Sequence, residues 1–243
     1  FSTGERYIIR ASVPQNIDIT APTALIKTSV VNYQDSVMKM PVGFAIIRDS
    51  AEMLKGTIAP GQTTLDLSSL ASGEYQFRFS LADTTLAETV TQTAVLYRPT
   101  DKNTPVPGRL LWYPDSKLTV GADGQGKWLY AVDCATNLLV TLHSDSKILS
   151  REWVSAPEGM NTLPVSLPSG VDNAVMEIAV TGNYRTSEAR IEISRDVTAK
   201  GIRFITESFR DRIVPGSEET WTFRVVDESG EGRKSAVVLD MYN

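Results

Sequence analysis

The sequence predicts an all-β protein made of tandem antiparallel β-sandwich domains. Apolar and polar residues alternate with a period of two in several segments, and short turn-forming groups separate these segments at intervals of about 8 to 12 residues. No long segment shows the helical period. Hydrophobic residues make up 42% of the chain and charged residues 22%, which is typical of folded globular domains.

The clearest strand covers residues 73–81, in which Gln76, Arg78 and Ser80 separate apolar side chains. The apolar members of this strand are Tyr75, Phe77, Phe79 and Leu81. The same period recurs twice later, with Ala189, Ile191 and Ile193 on one face and then Trp221, Phe223 and Val225 on another. Such alternation is typical of strands with one buried face.

Further strands are predicted in order along the chain. With the segments above, they cover residues 5–13, 24–32, 42–47, 63–67, 73–81, 89–97, 117–120, 127–132, 138–143, 150–154, 161–165, 175–180, 187–193, 203–209, 219–226 and 236–241. Groups rich in Gly, Pro, Asp and Ser lie between them, at residues 59–62, 71–73, 121–126, 168–170 and 228–230. These residue types favour turns.

Two segments are predicted to be linkers. Residues 98–108 carry three prolines, which cannot donate to a central sheet ladder, and residues 196–201 are short and polar. The predicted domains are therefore residues 1–99, residues 105–196 and a third, truncated sandwich that starts at residue 200 and runs to 243. The first two have the size of an immunoglobulin-like sandwich. Alternatively, the strands after residue 200 complete the second sandwich.

Charge and hydropathy exclude two classes of partner. The chain has 24 Lys and Arg residues against 29 Asp and Glu residues, a net charge of -5, and no basic run for phosphate contacts. No apolar stretch approaches the roughly 18 to 20 residues that span a bilayer. We therefore predict neither nucleic-acid binding nor direct membrane insertion in this segment. Residues 1–6 do not form a signal peptide, so any targeting signal is expected outside it.

The supply of catalytic side chains is small. His143 is the only histidine, no G-x-S-x-G pattern accompanies it, and we interpret it as a strand-end or surface residue. Cys134 is the only cysteine, so no intrachain disulfide can form, and we interpret it as a small buried hydrophobe. One His and one Cys cannot supply the usual zinc ligands. No cofactor is expected.

The glycine-rich residues 121–126 superficially resemble a phosphate-binding loop. They lack the Walker lysine and the following helix, because residues 127–132 have the pattern of a strand, and a hairpin turn is predicted instead. Most carboxylates are interpreted as solvated turn positions, namely Asp49, Glu52, Asp66, Asp83, Asp115, Asp123, Asp145, Glu158 and Asp172. Calcium in an interdomain turn stays open, although no EF-hand pattern is present. We predict no catalytic, cofactor or metal site, and no enzyme.

Part of the sequence resembles a known family. Residues 147–153, residues 175–186 and above all residues 207–223 are similar to the macroglobulin domains of bacterial alpha-2-macroglobulin-like proteins, in particular those of Bacteroidetes. In the last run, Pro215-Gly216 would make a turn and Trp221 would enter the core of the sandwich. Residues 67–75 resemble the turn-then-strand pattern of such domains in the first part of the chain.

The resemblance implies tandem macroglobulin-like sandwiches in an exported protein, periplasmic or on the cell surface. It implies protein partners, proteases or envelope proteins, and a place in a protease-trapping shell. The thioester motif Cys-x-Glu-Gln is absent, because Cys134 is followed by Ala135-Thr136-Asn137. Two alternatives stay open. One is a docking scaffold of an outer-membrane receptor system. The other is a carbohydrate-binding or adhesin-type array, which would expose aromatic rings such as Trp112, Tyr113, Trp128 or Tyr130.

Overall fold

A computed structural model describes residues 6–21, 23–84, 86–196, 203–208 and 222–226. All elements in this part of the chain are β-strands, so the all-β prediction is confirmed. The strands of residues 6–97 are β1 (Ile8–Ser12), β2 (Asn16–Asp18), β3 (Ala24–Leu25), β4 (Lys27–Val31), β5 (Val37–Met38), β6 (Val42–Arg48), β7 (Ala51–Ile58), β8 (Thr64–Leu65), β9 (Gly73–Ser80) and β10 (Val90–Tyr97).

The second group of strands begins after residue 110. It comprises β11 (Leu111–Trp112), β12 (Lys117–Val120), β13 (Gln125–Val132), β14 (Thr136–Ser144), β15 (Lys147–Ala156), β16 (Gly159–Ser166), β17 (Asn173–Gly182) and β18 (Arg185–Arg195). Two further strands are β19 (Arg203–Ser208) and β20 (Thr222–Val226). Within the described residues, β19 and β20 pair with each other in a separate two-stranded sheet.

Both groups use the same strand scheme. The first domain has a five-stranded sheet in the order β2-β10-β9-β6-β7, and the second has the matching order β12-β18-β17-β14-β15. Opposite these sheets lie the smaller sheets β1-β4-β5, accompanied by the pair β3-β8, and β11-β13-β16. In each domain the short second strand pairs in parallel with the last strand, whereas the other pairings are antiparallel. This is the arrangement of an immunoglobulin-like sandwich.

Each domain has its own hydrophobic core. Tyr75, Phe77, Phe79 and Leu81 are all buried in the first core, as the alternation predicts. Ala189, Ile191 and Ile193 are buried in the second core. Around residue 222 the exposure alternates in the predicted way, with Phe223 and Val225 half-buried. The predicted core residue Trp221, the Pro215-Gly216 turn and the predicted strand 236–241 lie outside the described residues.

Most predicted strands are present with shifted ends, but four strands were not predicted. These are β2, β5, β7 and β11. Strand β7 is at the sheet edge and its side chains are mostly exposed, so it carries no apolar alternation. The predicted strand 24–32 is interrupted at Ile26, whose backbone N–H donates to the Thr63 carbonyl at 2.8 Å.

The turn at residues 121–126 is confirmed, but its interpretation as a hairpin is wrong. The Gly121 N–H donates to the Gln125 carbonyl, and the Gly124 N–H donates to the Gly121 carbonyl, both at 2.8 Å. The flanking strands β12 and β13 belong to different sheets. The turn therefore carries the chain from one layer of the sandwich to the other. No helix follows it, in agreement with the prediction.

The predicted linker is packed against the second domain. Met160 N–H donates to the Lys102 carbonyl at 3.3 Å, and Pro105 is buried. A Cβ atom on Gly159, whose φ is +101°, would lie 1.8 Å from the Lys102 oxygen. Glycine is therefore required where the linker crosses the start of β16.

Each domain also anchors the loop that leads into its penultimate strand. In the first domain the Tyr75 hydroxyl donates to the Ala71 carbonyl at 2.9 Å, and Arg98 donates to the carbonyls of Ser68 and Leu70 at 2.8 and 3.0 Å. This tyrosine contact is the tyrosine corner of immunoglobulin-like sandwiches.

In the second domain a single side chain has this function. Arg195 donates to the carbonyls of Leu167, Pro168 and Val171, at 3.3, 2.7 and 3.0 Å from Nη2. Its Nη1 also donates to the Ala122 carbonyl at 3.0 Å. The Arg195 side chain is 10% exposed, and its bonds to Leu167 and Val171 are partly buried, where they are costly to lose, whereas those to Pro168 and Ala122 are exposed.

Candidate binding surfaces

The two domains meet in a small apolar junction. Trp112 and Ala131 of the second domain and Val95 of the first are buried together, with Tyr97, Val106 and Met160 half-buried around them. The rings of Tyr97 and Trp112 lie edge to face, with centroids 5.2 Å apart, a favourable aromatic geometry. The pKa of the Tyr97 hydroxyl is raised by burial and then by Asp18 and Asp115.

Strand alternation explains why these side chains meet. Leu111 and Val132 point into the second core, so their neighbours Trp112 and Ala131 point outward. Trp112 pairs with Ala131, and Ala131 pairs with Met160, which places the three on one outer row of the smaller sheet. A side-chain hydrogen bond from Asn16 Nδ2 to the Pro114 carbonyl, 2.8 Å long, adds a polar link between the domains.

A cleft of about 970 Å³ opens beside this junction. Both domains line it, and its charged residues are Glu74, Arg109, Asp115 and Glu188. Asp115 is already used in a turn, where its carboxylate accepts the Lys117 N–H at 2.8 Å. Among the described residues, no three His, Cys, Asp or Glu side chains are grouped closely enough to hold a metal ion. The cleft therefore offers a polar recess with charges of both signs.

The free edges of the five-stranded sheets form a second kind of surface. Within the described residues, β7 and β15 are the terminal strands on the same side of their respective sheets. Strand β15 is ten residues long and carries Ile148 and Trp153, which is 70% exposed. Strand β7 carries the exposed Met53. A free edge presents unpaired backbone groups that an extended segment of a partner can bind.

Matching hairpins position these edges. Asp49-Ser50 and Asp145-Ser146 each join two strands with positive φ at both residues, as type I′ turns require. The pairing register shifts near each turn, between Ile46 and Ile47 and between Leu142 and His143, so the extra residue of each β-bulge is Met53 on β7 and Leu149 on β15. The sequence pattern placed Asp49 and Asp145 in turns but did not reveal that the two Asp-Ser pairs mark equivalent hairpins.

His143 lies one residue before the end of β14, as predicted. Its Nε2 is 3.3 Å from Glu177 Oε1, and the same oxygen accepts a bond from Arg190 at 3.1 Å. No hydrogen bond of good geometry to this buried Nε2 is found within the described residues. The two side chains are thus close together on the outer face of the sheet without a well-formed hydrogen bond.

Cys134 is half-buried and packs against the second core, so it is less enclosed than predicted. The pKa of its thiol is raised by burial and then by the charge and hydrogen bond of Asp133. Asp133 in turn accepts a hydrogen bond from Arg185 at 2.7 Å. The thiol therefore stays protonated in a position where a nucleophile would need the thiolate.

Several predicted turn carboxylates do lie in turns. Asp66 accepts hydrogen bonds from the Ser68 hydroxyl and N–H, at 2.6 and 2.9 Å, and these bonds lower its pKa. Asp123 accepts the Gln125 N–H at 3.0 Å. Asp172 lies 3.3 Å from Arg195 Nε.

The aromatic rings named for a carbohydrate surface do not form one. Trp112, Trp128 and Tyr130 are buried, and the half-buried Tyr113 packs 5.5 Å from Trp128. Trp128 and Tyr130 belong to the core of the second domain. No helix of the described residues has the length and apolar character to cross a membrane.

Comparisons with known proteins assign no family to this chain. The sequence matches no family model and no curated protein. Among solved structures, E. coli alpha-2-macroglobulin matches with a TM-score of 0.36 and 11% identity, over 94% of this chain and 17% of that chain. Salmonella alpha-2-macroglobulin reacted with methylamine matches with a TM-score of 0.35 and 9% identity, over 96% and 18%.

The titin Ig tandem domains A164-A165 match with a TM-score of 0.27 and 11% identity, over 80% of this chain and 98% of that chain. This chain thus spans less than a fifth of the two macroglobulins. At these scores and identities the matches carry no argument, and the immunoglobulin-like β-sandwich class rests on the strand topology.

Proposed function

We propose that this chain is a non-catalytic structural and interaction segment of an exported alpha-2-macroglobulin-like protein. In this proposal its docked sandwiches form part of a protease-trapping shell, periplasmic or on the cell surface. The observation that carries the proposal is the packed junction between two sandwiches, in which Trp112 is buried against Tyr97 and Val95. The Tyr97–Trp112 contact and the hydrogen bond from Asn16 to Pro114 favour a defined domain geometry, which a shell requires and a flexible array does not.

The edge strands supply the interaction part of the proposal. Strand β15 combines a free backbone edge with exposed Ile148 and Trp153, and large exposed apolar side chains at such an edge favour protein binding. Protein is therefore the proposed partner class. Assignment to a Bacteroidetes protein stays a prediction.

The test uses the intact parent protein and a panel of endoproteases. After incubation, protease activity is measured with a small peptide substrate and with a large protein substrate. The proposal expects retained cleavage of the small substrate and protection of the large one, together with no turnover by the parent protein alone. If no protease is retained and none cleaves the parent at a defined site, the trap is contradicted and a docking scaffold becomes the better function.

Two variants test whether β15 is the edge that binds the partner protein, independently of the role of the domains in a shell. Trp153→Lys together with Ile148→Lys places two charges on β15, and Met53→Lys together with Thr57→Lys places two charges at exposed positions of β7 as the matched change. If β15 is the binding edge, the β15 variant weakens capture of the partner protein and the β7 variant does not. An equal loss of partner capture in both variants would show that β15 is not the specific binding edge.

A further inference from the structure

The free edges of the two large sheets differ in how their charges are satisfied. On β7, the Lys55 ammonium lies 2.9 Å from the Glu52 carboxylate, so the two charges of this strand pair with each other. On β15, the Glu152 carboxylate has no ion pair or hydrogen bond within the described residues. Of these two edges as the structure describes them, β15 therefore presents a carboxylate without a counter-charge and β7 does not.

Glu152 lies on the inner side of its strand. It pairs with Val140, which belongs to the second core, so the Glu152 side chain leaves the strand on the core side. The equivalent position of the first domain, also three residues after the bulge, is Gly56. A Cβ atom there would lie 2.9 Å from the Phe44 ring. An inward charge on an edge strand opposes pairing with any strand that does not neutralise it.

The outer side of the same stretch is apolar. Trp153 is 70% exposed. The Arg151 side chain turns toward β14, away from the free edge, because its Nε donates to the Thr141 hydroxyl at 3.2 Å. Residues 150–156 pair one to one with residues 136–142 without a register shift, so this edge is regular. A strand added here meets a carboxylate on the inner side and an indole ring on the outer side.

We propose that β15 binds an extended, basic segment of a partner protein, which places a Lys or Arg opposite Glu152 and a large apolar side chain opposite Trp153. Backbone hydrogen bonds to a free edge supply affinity, and the cross-strand side-chain pairs select the partner. The cation neutralises the inward charge, and the apolar side chain covers the exposed ring. The inference rests on the interaction role proposed above for β15 and specifies the chemistry of its partner.

A second copy of this chain does not offer that chemistry. Residues that face each other in an antiparallel pair lie on the same side of the sheet. Within residues 150–156, Glu152 would therefore face Ser150, Glu152 or Val154 of the other copy, and none of these carries a positive charge. The inner positions of β7 beyond its bulge carry none either, namely Leu54, Gly56 and Ile58.

The test measures the binding of labelled synthetic peptides to the 243-residue chain by fluorescence anisotropy. Each peptide has the length of one strand and alternates Thr and Val. The basic peptide carries Leu-Lys at its centre, and the matched acidic peptide carries Leu-Glu instead. A third peptide repeats the basic one with its central amides N-methylated, which removes the backbone donors that edge pairing needs.

We expect the basic peptide to bind the wild-type chain about three- to tenfold more tightly than the acidic one, because opposite charges across a strand pair attract and like charges repel. Glu152→Lys should invert this preference. Glu52→Lys changes the net charge equally, lies on β7, and should leave the preference unchanged.

Two kinds of failure are distinguishable. Equal affinities of the basic and acidic peptides for the wild-type chain, or equal effects of the two variants, would overturn the inferred partner chemistry, and sensitivity to N-methylation would then still support strand pairing at an edge. Binding that survives N-methylation, or no binding by any peptide, would overturn the inference together with the edge-binding role on which it rests.

Discussion

The first and second domains share one strand scheme but stabilise the same loop in different ways. The first domain divides the task between the Tyr75 hydroxyl and the guanidinium groups of Arg98 and Arg48, the latter donating to the Ser72 carbonyl at 3.1 Å. The second domain assigns it to Arg195 alone, which donates to several loop carbonyls. The same fold can therefore hold this loop either with several side chains, which we call a distributed anchor, or with one side chain, which we call a concentrated anchor. This difference also implies that equivalent substitutions will have unequal effects in the two domains.

The distribution of tryptophan makes the comparison measurable. The chain has 4 Trp residues, and residues 6–97 contain none of them, since the first in the sequence is Trp112. Tryptophan fluorescence therefore reports on the second domain and on the residues after it, whereas far-ultraviolet circular dichroism reports on both domains. Urea unfolding measured with both probes can assign a loss of stability to one domain.

The largest effect is expected for Trp112→Ala, which removes the contact shared by the two domains. Loss of a buried Trp costs about 3 to 5 kcal/mol. We expect the fluorescence transition to move to lower urea and to separate from the circular dichroism transition, because the junction no longer links the domains. Trp153→Ala removes an exposed ring and is the control. Coincident transitions in the Trp112 variant would contradict the role of the junction.

A smaller effect is expected for Arg195→Met, which breaks the concentrated anchor. The change leaves the partly buried carbonyls of Leu167 and Val171 without this donor, at a cost of about 2 to 3 kcal/mol. The measurement is the urea midpoint from tryptophan fluorescence. Arg190→Met, on the same strand but with an exposed side chain, should change it by less than about 0.5 kcal/mol. If the two variants have the same urea midpoint, Arg195 does not anchor the loop.

Tyr75→Phe tests the distributed anchor and should cost less. It removes only the hydroxyl that donates to Ala71, and the remaining contacts of Arg98 still hold the loop. We expect a loss of about 1 to 2 kcal/mol, seen in the circular dichroism transition of the first domain. Tyr33→Phe, at an exposed position in that domain, provides the control. A loss of stability as large as that of the Arg195 variant would contradict the proposed difference between the anchors of the two domains.

The smallest expected effect is on the pH dependence of the reactivity of Cys134. This residue lies at the end of the second domain where Asp133 pairs with Arg185. Burial and Asp133 raise the pKa of the thiol, so the rate of alkylation by iodoacetamide should reach its half-maximum above the pH typical of a free cysteine. Asp133→Asn removes one charge that opposes the thiolate and should shift that midpoint to lower pH. An unchanged or higher midpoint in this variant would contradict the assigned cause.

The sequence carried strong information about the cores and weak information about the edges and anchors. Residues Tyr75 and Ile191 were placed correctly because a strand with one buried face leaves a clear period of two. Strand β7 was missed because both of its faces are largely exposed. The Asp-Ser turn at residues 49–50 could have revealed it, since the same pair joins β14 to β15.

Long-range contacts explain the remaining misses. Trp112 has the local pattern of a core residue, and only the other domain determines that it lies in a junction instead. Arg195 looks like a solvated charge at the end of a strand, because the carbonyls that enclose it come from loops distant in sequence.

The parallel pairing of the second strand with the last one has a mechanical consequence. Residues 117–120 enter the second domain beside residues 192–195, which leave it. Tension along the chain pulls these neighbouring strands in opposite directions, so their hydrogen bonds are sheared together and cannot open one by one. The first domain repeats the arrangement with residues 16–18 and 95–97. The segment should therefore resist stretching along its length better than an antiparallel hairpin would, which unzips from its end.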